Sequence, residues 1–434
     1  MKLWSKEKTS TAEQIEQFTV GNDRDFDLLM AGFDVDGSIA HVTMLGEQGL
    51  MTPELTANAI TELKKIREEI NAGNFSIDAG AEDIHSQIEW MLTQRIGDAG
   101  KMIHTGRSRN DQVALDIKLF LRSSLNELRT DILNLFDLLQ KKSEEHKNTL
   151  IPGYTHFQIA MPSSIGLWLG AYAESLVDDM EFIAAAYKVA NKNPLGSGAG
   201  YGSSFPLNRT RTTSLLKFQT LNYNSVYAQM SRGKTEKLVS GAVASVAATL
   251  SKLSMDCCLF INQNFGFISF PDELTTGSSI MPHKKNPDVF ELIRAKCNRI
   301  QAVPNELTLL TNNLPSGYHR DMQLTKEILF PALEQLRSCL SMMQLMLNSM
   351  TVRVNILQEE KYKYIFSVEA VNELVNQGVP FRDAYAQVGN SIDSGAFKFD
   401  ATKQLRHTHE GSIGNLCNDK IKEEMKRVAD FISI

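Results

Sequence analysis

The sequence predicts an all-α protein built around a bundle of unusually long helices. Between Gly106 and Pro152 the chain has no interior glycine or proline. A helix of about 40 residues there would be about 55–60 Å long, so it needs partner helices along its whole length. Apolar residues recur every three or four positions in this stretch, as on one face of a helix. They are Val113, Ile117, Leu121, Leu125, Leu128, Ile132, Phe136 and Leu139.

A second apolar seam supports the bundle. Its spacings alternate between four and three, close to the period of a coiled-coil-like interface, through Val239, Val243, Val246, Leu250, Leu253, Cys257 and Phe260. Further helices are predicted at about 164–192, 287–303 and 319–349, the last with Pro331 as a kink. Another follows Thr52, which suits an N-cap before Pro53 at the first helical position. Alternating strand patterns are scarce.

The organisation along the chain predicts three domains. An N-terminal helical domain would span 1–106, before the first very long helix. A central long-helix bundle domain would follow over 107–353, where the bundle pattern fades. The remaining 354–434, with the breaks Gly378-Val379-Pro380 and Ser394-Gly395, would form a smaller C-terminal helical domain.

The bulk properties predict a soluble globular protein of the cytoplasm. A net charge of −6 gives no electrostatic reason to expect nucleic acid or an anionic membrane as partner. The N-terminus is charged from residue 2, unlike a secretory signal, and the most apolar helical stretch, Leu238 to Ser251, lies between lysines. Five cysteines without a Cys-x-x-Cys pair indicate reduced thiols.

The segment from Thr275 to Asp288 is the most unusual one in composition. It places a glycine, adjacent serines and two lysines in one loop before a helix that Asn286 would cap. Helix N-termini bind carboxylates, so the loop predicts an anion held next to Ser278. Two chemistries remain open from the residues alone. Ser278 could act as a nucleophile activated by Lys284, as in a Ser-Lys amidase, or as a base beside a substrate carboxylate.

Three other segments carry candidate site residues. His104 to Gln112 places two arginines at the start of the longest helix, which suits a carboxylate clamp. Pro152-Gly153-Tyr154-Thr155-His156 would form a turn at a bundle end, where histidine suits proton transfer to a leaving nitrogen. Leu314 to Lys326 presents Tyr318, Gln323 and Lys326 near one face of a starting helix.

Together these motifs resemble the fumarase/aspartase superfamily and, within it, the argininosuccinate lyases. Gly277-Ser278-Ser279-Ile280-Met281-Pro282-x-Lys284-x-Asn286-Pro287 is similar to the superfamily signature, and His104 to Gln112 is similar to the segment that marks argininosuccinate lyases. The likeness runs from about Leu3 to Gly395. It implies a three-domain helical subunit in a homotetramer whose active sites each combine segments of three subunits. The implied reaction is the reversible β-elimination of argininosuccinate to arginine and fumarate, without a metal or organic cofactor.

The resemblance also implies roles for individual residues. Ser278 would be the base, His156 would assist proton transfer to the departing guanidinium, and Glu291 would orient His156. Lys284 and Asn286 would stabilise the aci-carboxylate intermediate. The substrate-binding set implied by the family motifs is Thr19, Asp83, Ser108, Arg109, Asn110, Thr155, Arg232, Asn286, Tyr318, Gln323 and Lys326.

Departures from the family pattern concentrate in the N-terminal arm. Ser5 to Lys8 stands where the family usually has Gly-Gly-Arg-Phe, and Thr19 stands for a serine. In the serine loop His283 replaces the usual glutamine. Gly233 follows Arg232 where an aspartate is common.

Two alternative functions are weighed. A sister lyase acting on adenylosuccinate, aspartate or malate would share the serine loop but not the paired lysines or the run from Thr105 to Asp111. A catalytically inert structural homologue, like the lens crystallins of this superfamily, would not need Ser278, His156, Lys284 and Asn286, all of which are present.

Overall fold

Helices dominate the fold, which confirms the predicted all-α class. A computed structural model describes residues 13–78, 80–400, 405 and 407–430, so the expectation for Ser5 to Lys8 lies outside the described residues. The helices are α1 (Glu13–Val20), α2 (Asp23–Leu28), α3 (Ala31–Glu47), α4 (Pro53–Asn71), α5 (Ile84–Ile96), α6 (Asp98–Met102), α7 (Arg109–Glu145), α8 (Ile165–Ala190), α9 (Arg209–Leu215), α10 (Ser225–Met230), α11 (Lys234–Ile261), α12 (Asp288–Ile300), α13 (Val303–Leu310), α14 (Thr325–Asn348), α15 (Ser367–Asn376), α16 (Phe381–Asp393) and α17 (Asn418–Asp430).

The long helices fall where the apolar periodicity placed them, except that α14 begins at Thr325, about six residues later than predicted, after a 3-10 turn over Arg320–Leu324. Helix α7 has 37 residues, and α8, α11 and α14 have 26, 28 and 24. Pro331 lies inside α14, and the Thr52 side chain accepts the Leu55 N–H at the start of α4, as predicted. Helix α12 begins at Asp288, one residue later than expected, because Asn286 pairs with Thr276 in a short strand.

Short strands connect the helices, and one hairpin differs from the structure predicted from the sequence. Pro152 and Gly153 were expected to form a turn, but both lie in a strand, and the chain reverses at His156 and Phe157 instead. A two-stranded sheet has only edges, so it tolerates the missing N–H of proline. The pairs are β1 (Leu150–Thr155) with β2 (Gln158–Ser164), β3 (Lys192–Asn193) with β4 (Thr220–Leu221), β5 (Ile268–Ser269) with β8 (Thr351–Val352), and β6 (Thr276–Gly277) with β7 (Lys285–Asn286).

The chain forms two compact units. Unit 1 comprises residues 1–128, 182–245 and 299–336, and one of its apolar cores joins α3, α4 and α5 through side chains such as Val35, Leu63 and Ile88. Unit 2 comprises 129–181, 246–298 and 337–434, and it includes the pair α15 and α16, which pack through Val371 and Val388. The three predicted domains remain a prediction.

Helix α11 is long and apolar enough to cross a membrane by length and composition alone. Half of its most apolar 18-residue window is buried inside the protein. The core helix of a globular protein meets the same criteria, and the sequence predicts a packed helix at this position.

Unit 2 contains one helix contact that only glycine permits. Gly166, at the start of α8, lies against the end of α7, where its N–H donates to the His146 carbonyl and its carbonyl accepts the Ser143 hydroxyl. A Cβ at Gly166 would lie 2.4 Å from the Ser143 carbonyl oxygen and 2.6 Å from Lys147 Cα. Because both are main-chain atoms, rotamer changes cannot relieve the overlap.

We therefore expect Gly166→Ala to destabilise the protein by about 1–3 kcal/mol, the range of core overpacking. Urea unfolding followed by circular dichroism measures this loss. Gly170→Ala, one turn later, is the matched control, because its Cβ would be 3.2 Å from the Ser143 hydroxyl oxygen, a mobile side-chain atom. Equal stability of the two variants would contradict the proposed contact.

Candidate active site

Unit 1 contains a charged cavity that opens to solvent. Its volume is about 160 Å³, and it is open to solvent on one side. The lining brings together most of the substrate-binding residues predicted for this unit, namely Asp83, Arg109, Asn110, Arg232, Tyr318, Gln323 and Lys326.

Arg109, the first residue of α7, is held by the start of α5. Its guanidinium lies 3.0 Å from Asp83 Oδ2 and 3.2 Å from Glu82 Oε2, and it donates to the Ser86 hydroxyl at 3.1 Å. Asp83 is itself the N-cap of α5, because its Oδ1 accepts the Ser86 N–H at 2.8 Å. Burial raises the pKa of Asp83, but attraction to His85 and Arg109 outweighs burial, and the net pKa is lowered. Arg109 is therefore a fixed cation in the cavity wall.

Ser108 and Asp111 shape the start of α7. The Asp111 carboxylate accepts the Ser108 N–H at 2.9 Å, and the Ser108 hydroxyl accepts the Asn110 N–H at 3.2 Å. This is the reciprocal arrangement of a capping box. Ser108 thus aligns Arg109 and Asn110 with the cavity, while the cavity lining itself does not include Ser108.

Lys326 and Gln323 connect the cavity to the first helices. The buried Lys326 ammonium lies 2.5 Å from Asp27 Oδ1 and 2.7 Å from Asp23 Oδ1. Burial lowers the pKa of Lys326, but these two carboxylates more than compensate and raise it. Gln323 donates to the Thr19 carbonyl at 3.0 Å, whereas the Thr19 hydroxyl donates to the Ile15 carbonyl. Thr19 therefore contacts Gln323, another predicted substrate-binding residue, through its main-chain carbonyl and not through its hydroxyl.

Arg232 is buried with an incomplete set of partners. Its Nε donates to Glu236 and one amino group donates to the Met322 carbonyl, but the other amino group has no hydrogen-bond partner among the described residues. The following Gly233 has a φ of +73°, and a Cβ there would lie 2.7 Å from Thr311 Cγ2. Glycine at this position therefore suits the local backbone, and Arg232 keeps its place in the cavity wall.

The sequence analysis missed several residues that line the same cavity: Asp23, Asp27, Glu82, His85 and Arg320. Asp23 and Asp27 are four residues apart, so they share one helix face. Because they closely follow the candidate residue Thr19, this spacing could have indicated from the sequence that they belong to the same site. Glu82 and His85 flank the predicted Asp83 directly. Burial raises the pKa of Asp23 to about 6, although Lys326 opposes the shift.

The serine loop lies in unit 2. The Ser278 hydroxyl oxygen accepts the N–H groups of Met281 at 3.1 Å and Ile280 at 3.4 Å. Hydrogen bonds to the charged form of a group favour that form, so these amides favour a serine alkoxide. No hydrogen bond joins Ser278 and Lys284 within the described chain, which leaves the Ser-Lys amidase without its activating contact.

The two adjacent lysines of the loop differ in their partners. Lys285 is paired with Asp272, whereas the exposed Lys284 ammonium forms no ion pair or hydrogen bond with any described residue. Lys284 lines a cleft together with Asn286 and Glu291. Asn286 donates at 3.4 Å to Gly277 and Thr276, long contacts that leave most of its capacity available. Of the two lysines, Lys284 is therefore the cation that is free to meet an anion.

The β1–β2 hairpin presents Thr155 and His156 to solvent. His156 and Phe157 form its two-residue turn, with φ of 53° and 58°, the left-handed conformation of type I′ turns. Such a conformation is uncommon for residues other than glycine, although histidine adopts it more often than most, so Phe157 is the unusual residue of the pair. Tyr154 anchors the hairpin through an edge-to-face contact with Phe265, with 5.4 Å between ring centroids.

The expected contact between Glu291 and His156 is not formed within one protomer. Among the described residues of unit 2, no hydrogen bond or ion pair joins these two exposed side chains. Their pairing therefore remains a prediction for the assembled protein.

Comparison with known proteins identifies the family. A family model described as "Lyase" matches residues 7–302. The argininosuccinate lyase of Bacteroides fragilis is 58% identical over 429 residues, which are 99% of this chain and 95% of the relative. That of Parabacteroides distasonis is 57% identical over 432 residues, 100% of this chain and 96% of the relative. The solved structure of EDDS lyase in complex with formate has a TM-score of 0.75 at 22% identity, covering 98% of this chain and 91% of that chain.

The fold and the serine loop define a lyase of the fumarase/aspartase superfamily. At 58% identity over nearly the full chain, the protein belongs to the argininosuccinate lyase family within it. The likeness to the EDDS lyase structure supports the fold. The individual site residues and their roles remain predictions.

The geometry around Arg109 predicts a binding defect for Arg109→Lys. Lysine keeps the charge but cannot contact Asp83, Glu82 and Ser86 at once. We expect KM for the substrate to rise about tenfold, equivalent to ~1.4 kcal/mol, with unchanged circular dichroism. Arg95→Lys, at a surface pair with Glu69, is the control. An unchanged KM in Arg109→Lys would argue against Arg109 as a substrate ligand.

Proposed function

We propose that this protein splits argininosuccinate reversibly into arginine and fumarate, as its family relatives are named to do. The observation that carries the proposal is the Ser278 oxygen, which accepts two main-chain amides in the loop that also contains Lys284. Amides that favour a serine alkoxide, with a cation in the same loop, suit proton removal from a carbon beside a carboxylate.

In the proposed reaction, Ser278 takes the proton from the carbon next to a succinyl carboxylate. The electron pair of the broken C–H bond moves into that carboxylate, giving an aci-carboxylate whose added charge Lys284 and Asn286 stabilise. The pair then returns to form the carbon–carbon double bond of fumarate while the C–N bond breaks. His156, oriented by Glu291, assists proton delivery to the departing guanidinium nitrogen, and Thr155 contacts the substrate.

The cavity of unit 1 would hold the charged ends of the substrate. Arg109 and Asn110 suit a carboxylate, and Arg232 offers an unpartnered donor beside Tyr318. The carboxylates of the same cavity suit an ammonium group. A ligand with both charges, such as the amino-acid end of argininosuccinate, matches this wall better than a simple dicarboxylate.

We further propose that the protein works as a cytoplasmic homotetramer, without nucleic acid or membrane as partner. Each active site would combine the cavity of unit 1 from one protomer with the serine loop and the hairpin of others. The exposure of His156, Thr155 and Glu291 at unit 2 supports this arrangement, because groups that must reach another protomer have to lie at the surface.

The substrate assignment predicts a selective activity. Purified protein offered argininosuccinate, adenylosuccinate, aspartate or malate separately should release fumarate, followed by its ultraviolet absorbance, from argininosuccinate alone. Absence of fumarate from argininosuccinate would overturn the proposal, and release from adenylosuccinate or aspartate instead would establish a sister lyase. An inert structural homologue would act on none of the four.

The assignment of the base predicts that Ser278→Ala lowers kcat about a thousandfold, within the range of general acid–base effects. Substrate binding and helicity should stay close to those of the parent, because Ser278 lies in an exposed loop. Ser279→Ala, in which the neighbouring hydroxyl is removed, is the matched control. Turnover near the parental rate in Ser278→Ala would mean that another residue removes the proton.

A further inference from the structure

Three ionisable side chains from three helices meet in the interior of unit 1. They are Asp34 on α3, His85 on α5 and Asp116 on α7, called here the acid–histidine cluster. His85 Nδ1 lies 3.0 Å from Asp34 Oδ1 and 3.6 Å from Asp116 Oδ2. None of the three is more than 4% exposed, so water cannot screen their charges.

If both carboxylates of the cluster are ionised, their oxygens have too few hydrogen-bond donors. Asp34 Oδ1 already receives the Gln112 side-chain amide at 2.6 Å in addition to the His85 contact. Asp34 Oδ2 and both oxygens of Asp116 then have no hydrogen-bond partner among the described residues. A buried charge without a donor is strongly unfavourable, and two adjacent carboxylates cannot both ionise easily.

One proton shared between the carboxylates resolves this imbalance. Asp34 has the better set of donors for the ionised form, so Asp116 is the residue that carries the proton. Burial and repulsion from Asp34 and Asp27 raise the pKa of Asp116 well above its usual value, against the opposing attraction of Arg107. Burial also raises the pKa of Asp34, but His85 and Arg107 outweigh it and the net pKa is lowered.

The cluster reaches the proposed substrate cavity through His85, which forms part of its lining. Burial lowers the pKa of His85, but Asp34, with Asp83 and Asp27, outweighs burial and raises it. His85 is the second residue of α5, and Asp83 is the N-cap of the same helix, so a fixed His85 also fixes the helix start that carries Asp83. Asp83 in turn holds Arg109 at 3.0 Å.

We infer that Asp116 donates a shared proton to Asp34 and that this pair positions His85, and through it the Asp83–Arg109 ion pair, in the wall of the cavity. Asp34 and Asp116 are not among the residues that line the cavity. They are positioning residues for binding. The inference rests on the proposed function only in taking Arg109 as a substrate ligand.

The sharpest test compares two substitutions at one position in the full-length protein. Asparagine keeps a donor where protonated Asp116 has one, so Asp116→Asn should keep kcat/KM within about twofold of the parent. Asp116→Ala removes the donor and should raise KM about tenfold while kcat changes less than about threefold. Equal damage by both substitutions, or failure of Asp116→Asn to fold, would overturn the inference.

A second test of the inference uses Asp34→Asn. It removes the counter-charge of His85, so KM should rise about tenfold near pH 6 and further toward about pH 8 as the imidazolium loses its proton. The parent is the reference at each pH, because Asp23 of the same cavity also titrates near pH 6, so the ratio of the two KM values should rise over this interval. A ratio that is independent of pH would contradict the role assigned to the cation.

A measurement without substrate separates this inference from the proposed function. Because the pKa of Asp116 is raised by folding, its contribution to stability is complete below its unfolded pKa near 4 and is lost as the pH rises through the folded value. Asparagine does not titrate, so Asp116→Asn does not lose this contribution. Its urea midpoint should therefore rise relative to that of the parent as the pH increases from about 5 to about 8. A difference between the two midpoints that does not change with pH would overturn the inference. It would also be overturned if elemental analysis found one equivalent of a divalent cation in the parent and none in Asp116→Asn.

Discussion

Charged groups that leave water must be paired where they are buried, and in unit 1 this constraint fixes the geometry of three helices. Asp34 and Asp116 face the same imidazole, so α3, α5 and α7 have to meet at His85. The first turn of α5 then places Asp83 where it can cap its own helix and bind Arg109 of α7. A displacement of any of these helices would leave a buried charge without its partner. The position of the proposed substrate clamp therefore follows from the electrostatics of the interior.

The two units differ in the pairing and burial of the polar side chains proposed for the site. In unit 1 the cations of the cavity are held by carboxylates, and the unpartnered amino group of Arg232 is an exception. Such fixed charges suit recognition, because little reorganisation is needed when a ligand binds. In unit 2 the groups proposed for chemistry lie at or near the surface. The half-buried Ser278 has its two amide donors, the exposed Lys284 has no ion-pair partner among the described residues, and the exposed His156 is at the tip of a hairpin. Exposed groups of this kind become effective in a site that excludes water.

Periodicity alone predicted α7 and α11 because their apolar seams continue without a break over many turns. The hairpin was missed because Pro152 and Gly153 are typical of a turn, whereas the chain reverses at His156 and Phe157, which have no turn signature. Family motifs identified Asp83, Arg109 and Lys326, and the structure brings them to one cavity. The acid–histidine cluster was not predictable from spacing, since Asp34 and Asp116 lie on different helices and look like ordinary polar positions. Burial and mutual distance, which only the fold provides, distinguish them.

The central claim is that binding groups of unit 1 and catalytic groups of unit 2 meet in sites shared between protomers. Co-expression of Arg109→Ala and Ser278→Ala, each expected to have little activity alone when substrate is limiting, tests it directly. In randomly mixed tetramers about a quarter of the sites would combine an intact Arg109 from one protomer with an intact Ser278 from another. The purified mixture should therefore regain about a quarter of the parental activity toward argininosuccinate. If each protomer built its own complete site, the mixture would stay inactive, and the account of a shared site would be wrong.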